Sequence, residues 1–348
     1  MTTVDTPVLP PEAAAQQLVF QLATGYMASA ALQTVLQLEI PNRLSAGPRP
    51  VAELAKEAGA NEDALYRVMR ALASLGVFDE QAPRTFANTM AGSMLRHVPG
   101  SFHDMGIFLS SPVHFRIYAE MLHSVQTGQP AVEKVMGMPA FEYLARDENR
   151  DFATKFNNAM TMMSGLVAPA VLEVYDFTGI GTLVDVAGGH GFLLTSILKA
   201  YPGMRGILFD LPHVVSGASG LIAAAGVTDR CETASGDFFQ AVPQDGDAYI
   251  MKHIIHDWDD ERATAILKNI RAALAGRPNG RLILVDSVIE PGNQPDLAKL
   301  IDLEMLMLPG GKERTEAEFR ALFAGAGFTL TRVVRTRSPL AVVEGRPV

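Results

Sequence analysis

The chain has little of what would tie it to an oxidising compartment, a membrane or a nucleic acid. Its 348 residues contain one cysteine, Cys231. No internal disulfide framework is possible, and a reducing cytoplasm is the expected setting. Positive charge is scarce: 29 Lys and Arg against 38 Asp and Glu leave a net charge of −9 and a pI near 5.4. That balance excludes nonspecific attraction to nucleic acid or anionic membranes. No apolar run reaches the roughly 18 residues of a spanning helix. The opening MTTVDTPVLPPEAAAQ has no basic segment leading into an apolar one, so no secretory leader is expected. What remains is a globular, enzyme-sized chain with 48% hydrophobic residues, ample for a packed core. Its 16 methionines suit core filling and pockets for flat apolar ligands.

After a Pro-rich lead, Glu12 to Leu38 is almost all Ala, Leu, Gln and Val. A helix apolar on so much of its circumference has to be buried, with a partner subunit as the natural cover. Pro50 to Ala58 then reads as a short helix and Gly59-Ala60-Asn61 as a turn. Asn61 can cap a second helix from Glu62 to Ser74, which Gly76 ends. With a hairpin following Val77-Phe78, this is a winged-helix pattern. As a DNA reader the second helix offers only Arg67 and Arg70, in an acidic protein, so dimerisation is the preferred role. Residues 1–100 are read as this dimerisation module, and 101–348 as a mostly helical, substrate-shaping segment followed by a catalytic domain.

From Gly181 onward, apolar β runs alternate with helical segments, which indicates βαβ units and a parallel sheet covered on both faces. The closing FTLTRVVRT and LAVVEG read as a hairpin, one strand of which can enter the sheet antiparallel. Three features fall at successive strand ends. Asp185-Val186-Ala187-Gly188-Gly189-His190-Gly191 is a Gly-rich turn from strand to helix, where a ligand can approach backbone N–H groups. Asp210 closes the next strand, where an acid can take both hydroxyls of a ribose. In Gly236-Asp237-Phe238 an acid able to accept from an adenine amino group precedes a ring able to stack on it. Each acid can equally be a turn or cap residue, and Phe238 core. Taken together they describe an adenosine site without a triphosphate cradle, since no GxxxxGK[ST] loop is present.

Chemistry converges on Asp245 to Ala265, DGDAYIMKHIIHDWDDERATA. An apolar strand leads to His253, His256 and Asp257, and a helix follows. Histidine titrates near neutrality, and ligands in open α/β sheets bind past the carboxyl ends of strands, so His256 is placed as a general base. As metal ligands, His253 and His256 would sit on a strand and its exit, where an odd separation sends side chains to opposite faces. No metal is expected, and His253 reads as a packed, hydrogen-bonded strand histidine.

In the same order, LVDVAGGHG, FDLPHV, GDFF, MKHIIHDWDDE and GGKERTEAEF resemble the signature segments of the caffeate-type small-molecule O-methyltransferases. That family comprises plant phenol methyltransferases and bacterial antibiotic-tailoring relatives, and the likeness spans nearly the whole chain. It implies a Rossmann-like class I methyltransferase sheet, parallel with one antiparallel strand, behind an N-terminal winged-helix dimerisation domain. It also implies a homodimer, S-adenosylmethionine as cofactor with S-adenosylhomocysteine as product, and O-methylation of a phenolic secondary metabolite. N- or C-methylation, or a non-methylating reaction, is the alternative on the same scaffold.

By the same resemblance Ser164 meets the cofactor carboxylate, and Ala187 and Gly188 line its methionine part. Asp210 holds the ribose, Asp237 and Phe238 the adenine, and Lys252 and Trp258 flank the adenosine; Leu211 and Gly236 complete the set. His256 is the base, with Asp286 and Glu313 orienting it. Phe156, Met160, Met163, Asp257, Leu303 and Met307 face the acceptor. Four positions depart from the pattern. Ala187 replaces a usual glycine, which is tolerable if its φ is negative. His253 replaces an aromatic residue of plant relatives, Asp286 is one methylene shorter than their glutamate, and Glu304 brings a carboxylate to a position they keep apolar.

Overall fold

The computed structural model describes residues 10–348. The expectations for the first nine residues of the leader lie outside them. The chain divides into two compact units at Phe115/Arg116, where the sequence reading placed its boundary at 100/101. The difference arises because helix His103–Leu109 packs with the first helix of the N-terminal unit.

In that unit, α1 (Pro11–Gln37) buries only Gln33, Val35 and Leu36. Leu18, Val19, Phe20, Leu22, Tyr26 and Met27 are each more than half exposed. The expectation that this helix is buried all round is therefore not met within one chain. The winged-helix pattern is present. α2 (Val51–Ala58) ends at Gly59 with φ +64°, and the Asn61 side chain accepts from Ala64 N at 3.0 Å to start α3 (Glu62–Ser74). Strands Phe78–Ala82 and Thr85–Asn88 form the wing, with Arg49–Pro50 added on its edge. Leu54, Leu65, Met69, Phe78 and Phe86 fill its core.

The second unit begins with short helices and α4 (Arg150–Val174), then builds one sheet. Its strands are β1 (Thr182–Val186), β2 (Arg205–Asp210), β3 (Cys231–Ser235), β4 (Ala248–Lys252), β5 (Arg281–Asp286), β6 (Phe328–Arg335) and β7 (Ala341–Pro347). They lie in the order β6-β7-β5-β4-β1-β2-β3, and β7 runs antiparallel to both its neighbours. Alternation along the strands serves two cores. Ala248 and Ile250 of β4 face α4 and α5 (Phe192–Ala200), whereas Tyr249 and Met251 face α6 (Asp260–Ala273) and α8 (Glu316–Gly325). Strands covered on both faces need apolar residues at nearly every position, as these have. The order reverses between β1 and β4, and the crevice at their carboxyl ends is where such sheets bind ligands. Among the described residues no helix is long and apolar enough to cross a membrane.

Candidate active site

The turn leaving β1 is shaped by steric exclusion. A Cβ on Gly188 would lie 2.5 Å from Leu208 Cδ1 and 2.6 Å from the Asp185 carboxyl, so only glycine fits. Gly189 and Gly191 have φ of +60° and +82°. Ala187 has φ +57°, so the condition under which it would replace glycine without strain is not met. An L-residue pays for that conformation, because its Cβ crowds the following carbonyl, by about 1–2 kcal/mol. Ala187→Gly should therefore stabilise the protein by about 1 kcal/mol, read as a higher urea midpoint; an unchanged or lower midpoint would contradict the strain. Across the turn, Asp210 Oδ2 accepts from Gly189 N at 2.8 Å and Oδ1 from Leu211 N at 2.7 Å. Burial raises the Asp210 pKa and these two donors oppose the rise. Each carboxylate oxygen retains a second lone pair for an incoming hydroxyl.

Beyond β3, Gly236 has room for no side chain, since a Cβ would meet the Phe209 ring at 2.9 Å. Asp237 Oδ1 caps its own turn by accepting from Phe239 N at 2.9 Å, and Asn269 Nδ2 donates to the carbonyls of Phe238 and Phe239. The ring of Trp258 is enclosed by Phe238 at 6.1 Å, Phe239 at 4.8 Å and Phe141 at 6.0 Å. Its Nε1 is buried with no hydrogen-bond partner among the described residues. Phe141 and Phe239 were absent from the sequence reading. The doubled Phe of GDFF was the available signal for Phe239; Phe141, on a short helix far back in the chain, gave none. At the end of β4, Lys252 is half-buried. Burial lowers its pKa against the pull of Asp185, Asp286 and Asp257. Asp185, 1% exposed, is pushed up to about 7 by burial with Asp210 adding to the shift. Ser164 is buried and donates to Met160 O at 2.8 Å within α4.

The proposed base sits on one tight turn, Ile255–Asp257. His256 is 7% exposed, and its Nδ1 donates to Glu313 Oε1 at 2.8 Å. Its Nε2 lies 3.5 Å from Asp257 Oδ1. Asp286 is fully buried, and neither of its oxygens has a hydrogen-bond partner among the described residues. The expectation that two acids orient the imidazole therefore divides: Glu313 holds it by a hydrogen bond, and Asp286 acts on it only through its field. Burial disfavours the His256 imidazolium, but Asp257, Glu313 and Asp286 outweigh it and push the pKa up to about 9. Burial raises Asp286 to about 7 and Asp257 to about 6, with His256 opposing both shifts.

His253 is not the strand histidine expected. β4 ends at Lys252, and His253 takes φ +54°. That turn lays its ring over His256, with centroids 4.8 Å apart and planes within 6°. The two side chains share a face instead of opposing each other. The reason against a shared ion changes accordingly, because lone pairs of stacked rings lie in parallel planes and do not converge.

The GGKERT segment positions the turn. A Cβ on Gly311 would lie 2.0 Å from His256 O and 2.3 Å from Asp257 C, so the two backbones touch only because Gly311 lacks one. Arg314, fully buried, donates from Nη1 to Ile255 O at 3.0 Å and from Nη2 to Trp258 O at 2.9 Å, and pairs with Asp260 at 2.8 Å. Asp302 Oδ1 accepts from Glu313 N at 2.8 Å. Val288–Ile289 pairs in parallel with Arg314–Thr315, joining the exit of β5 to this segment. No role had been read for Gly311 or Arg314, although both lie inside the motif.

Of the acceptor set, Phe156, Met160 and Met163 are half-buried on α4, and Leu303 is 37% exposed on α7 (Leu297–Met307). Met307 is fully buried and offers no surface to a ligand, a correction to its expected place on the wall. The Glu304 carboxylate accepts from the Tyr118 hydroxyl at 2.6 Å. Burial and the Glu304 charge raise the Tyr118 pKa, so this proton stays on the phenol.

Residues 118–329 match the family model described as an O-methyltransferase domain, and residues 20–97 match the O-methyltransferase dimerisation domain. The chain belongs to this O-methyltransferase family. It is 42% identical to a phenazine O-methyltransferase of Lysobacter antibioticus over 95% of this chain and 96% of that one. It is 35% identical to the mitomycin biosynthesis 6-O-methyltransferase of Streptomyces lavendulae over 99% of each. The structure of CalO1, a methyltransferase of calicheamicin biosynthesis in its S-adenosylhomocysteine-bound form, superposes with a TM-score of 0.85 at 31% identity, covering 98% of this chain and 100% of that one. This O-methyltransferase is S-adenosylmethionine-dependent, with a class I methyltransferase sheet C-terminal in sequence to its dimerisation domain. The residues present suit that cofactor. The Cβ-free backbone at Gly188, the acid at Asp210 with lone pairs to spare and the unpartnered Trp258 Nε1 are what an adenosine bearing a sulfonium chain needs.

Proposed function

We propose that the protein methylates a phenolic hydroxyl of a flat aromatic secondary metabolite, with His256 removing the hydroxyl proton. The observation that carries this reading is the buried Nδ1 to Glu313 contact of 2.8 Å, which commits Nδ1 as a donor and leaves Nε2 to work. When bound, the cofactor supplies an electrophilic sulfonium methyl. Asp210, with Leu211 beside it, is assigned the ribose, and Gly236, Asp237, Phe238 and Trp258 the adenine. Ala187, Gly188, Ser164 and Lys252 are assigned the methionine end and its surroundings. Phe156, Met160, Met163 and Leu303 present apolar surface to a flat acceptor, and the aromatic substrate in the phenazine relative's name supports that class. The dimerisation-domain match and the exposed apolar residues of α1 support a homodimer.

A phenol has a pKa near 10 and is protonated at neutral pH, so a base in a water-poor site is worth roughly 10²–10⁴-fold. Because the carboxylates favour the imidazolium, the working form is the neutral minority at pH 7, and Asp257 near Nε2 is the group that must yield that nitrogen to the acceptor. The test incubates the protein with S-adenosylmethionine and a panel of flat phenols, each paired with an analogue lacking the hydroxyl. One S-adenosylhomocysteine per O-methyl product, and none from the analogues, is expected. Methyl transfer only to amines or carbon, or product without S-adenosylhomocysteine, would refute it.

A further inference from the structure

Resting on His256 as the base, we propose that His253 is a positioning residue whose ring, stacked on His256, holds the plane in which His256 meets the acceptor hydroxyl. The hydrogen bond from Nδ1 to Glu313 and Asp257 Oδ1 at 3.5 Å from Nε2 hold the edge of the His256 imidazole and leave its face free to tilt about the line between them. A flat neighbour 4.8 Å away and 6° from parallel removes that freedom. The backbone is bent to deliver it. β4 ends at Lys252, His253 N donates to Val285 O at 3.2 Å, and φ is +54°, a left-handed conformation uncommon for residues other than glycine.

The charges around the stack agree with this role. His253 feels Lys252, the last residue of β4, and His256 on the following turn, while Asp257 on that turn, Asp286 of β5 and Glu313 act on His256. Burial first, then Lys252 and His256, hold its pKa well below the ordinary value, so it stays neutral while His256 takes up a proton. A neutral aromatic face accepts a stacked cation, whereas a second imidazolium would repel it. His256 can therefore change charge without being pushed out of place.

The test compares His253→Gly with His253→Phe. Glycine suits the positive φ but empties the space of a packed ring, so an unfolding midpoint accompanies the kinetics and separates loss of the ring from loss of the fold. Its kcat should fall about ten- to hundredfold, the cost of a misoriented group. S-adenosylhomocysteine affinity, by calorimetry, and KM for the acceptor should stay near wild type. His253→Phe restores a flat uncharged face and should recover most of kcat with the wild-type pH profile. Wild-type kcat in the glycine variant, or a phenylalanine variant as slow as the glycine one, would overturn the stacking role. The underlying reading fails separately, in an active His256→Gln protein.

Discussion

Replacing His256 by glutamine should leave S-adenosylhomocysteine affinity near wild type and lower single-turnover methylation by about 10²–10⁴-fold. Glutamine can still donate its amide N–H to Glu313 Oε1, the partner His256 holds at 2.8 Å, so the turn and the buried acid keep a contact. What disappears is a group that can take the proton of the acceptor hydroxyl. The residue is 7% exposed, so an unfolding midpoint accompanies the kinetics and separates lost chemistry from lost fold. A folded, cofactor-binding glutamine variant with turnover within a few-fold of wild type would remove His256 from the mechanism.

Arg314→Met should cost about 3–5 kcal/mol of stability and abolish most turnover, although Arg314 is assigned no contact with cofactor or acceptor. Its guanidinium is fully buried and satisfies the carbonyls of Ile255 and Trp258, the residues on either side of His256 and Asp257. Methionine fills the space but donates nothing, and each orphaned buried carbonyl costs about 1–3 kcal/mol. Asp260 is the lesser loss, because its side chain is 59% exposed and can be rehydrated. Urea unfolding reads the stability and the S-adenosylhomocysteine yield reads the turn. A variant within about 1 kcal/mol of wild type would show that Arg314 is a bystander.

Much of the architecture was legible because the determining signals are local. Asn61 and Gly76 bracket α3, and the doubly apolar alternation of strands such as Ala248-Tyr249-Ile250-Met251 announces a sheet covered on both faces. LVDVAGGHG, FDLPHV, GDFF and MKHIIHDWDDE were legible because each ends a strand, and the sheet order brings those ends together. The backbone just past the strands was not. Ala187 and His253 both adopt positive φ, which neither residue prefers, because tertiary packing overrides local preference there. The inference that His253 and His256 oppose each other failed for that reason, since it extended strand geometry one residue beyond the strand.

Pairings between distant residues were equally hidden. Tyr118 and Glu304 stand 186 residues apart, and no periodicity in either helix announces their hydrogen bond. Asp286 was read as an orienting acid, but whether a buried carboxylate reaches an imidazole or only polarises it depends on the sheet register and the shorter side chain. The burial of Met307 was misread, whereas the exposure of α1 within one chain agrees with the partner cover expected of it. Apolar content says that a face will be covered, not which residues within one chain cover it.

The most direct test of the His256 base is the pH dependence of kcat/KM for a phenolic acceptor, measured on the wild type and on Glu313→Gln. A base must be deprotonated to act, so kcat/KM rises with pH, and in the wild type the limb should extend toward the His256 pKa of about 9. Glu313 is among the carboxylates that stabilise the imidazolium, so its removal should lower that pKa and move the limb to lower pH, while the amide oxygen of glutamine still accepts from Nδ1 and keeps the ring anchored. An unmoved limb in Glu313→Gln would mean that the profile reports ionisation of the phenol itself and that His256 is not the base.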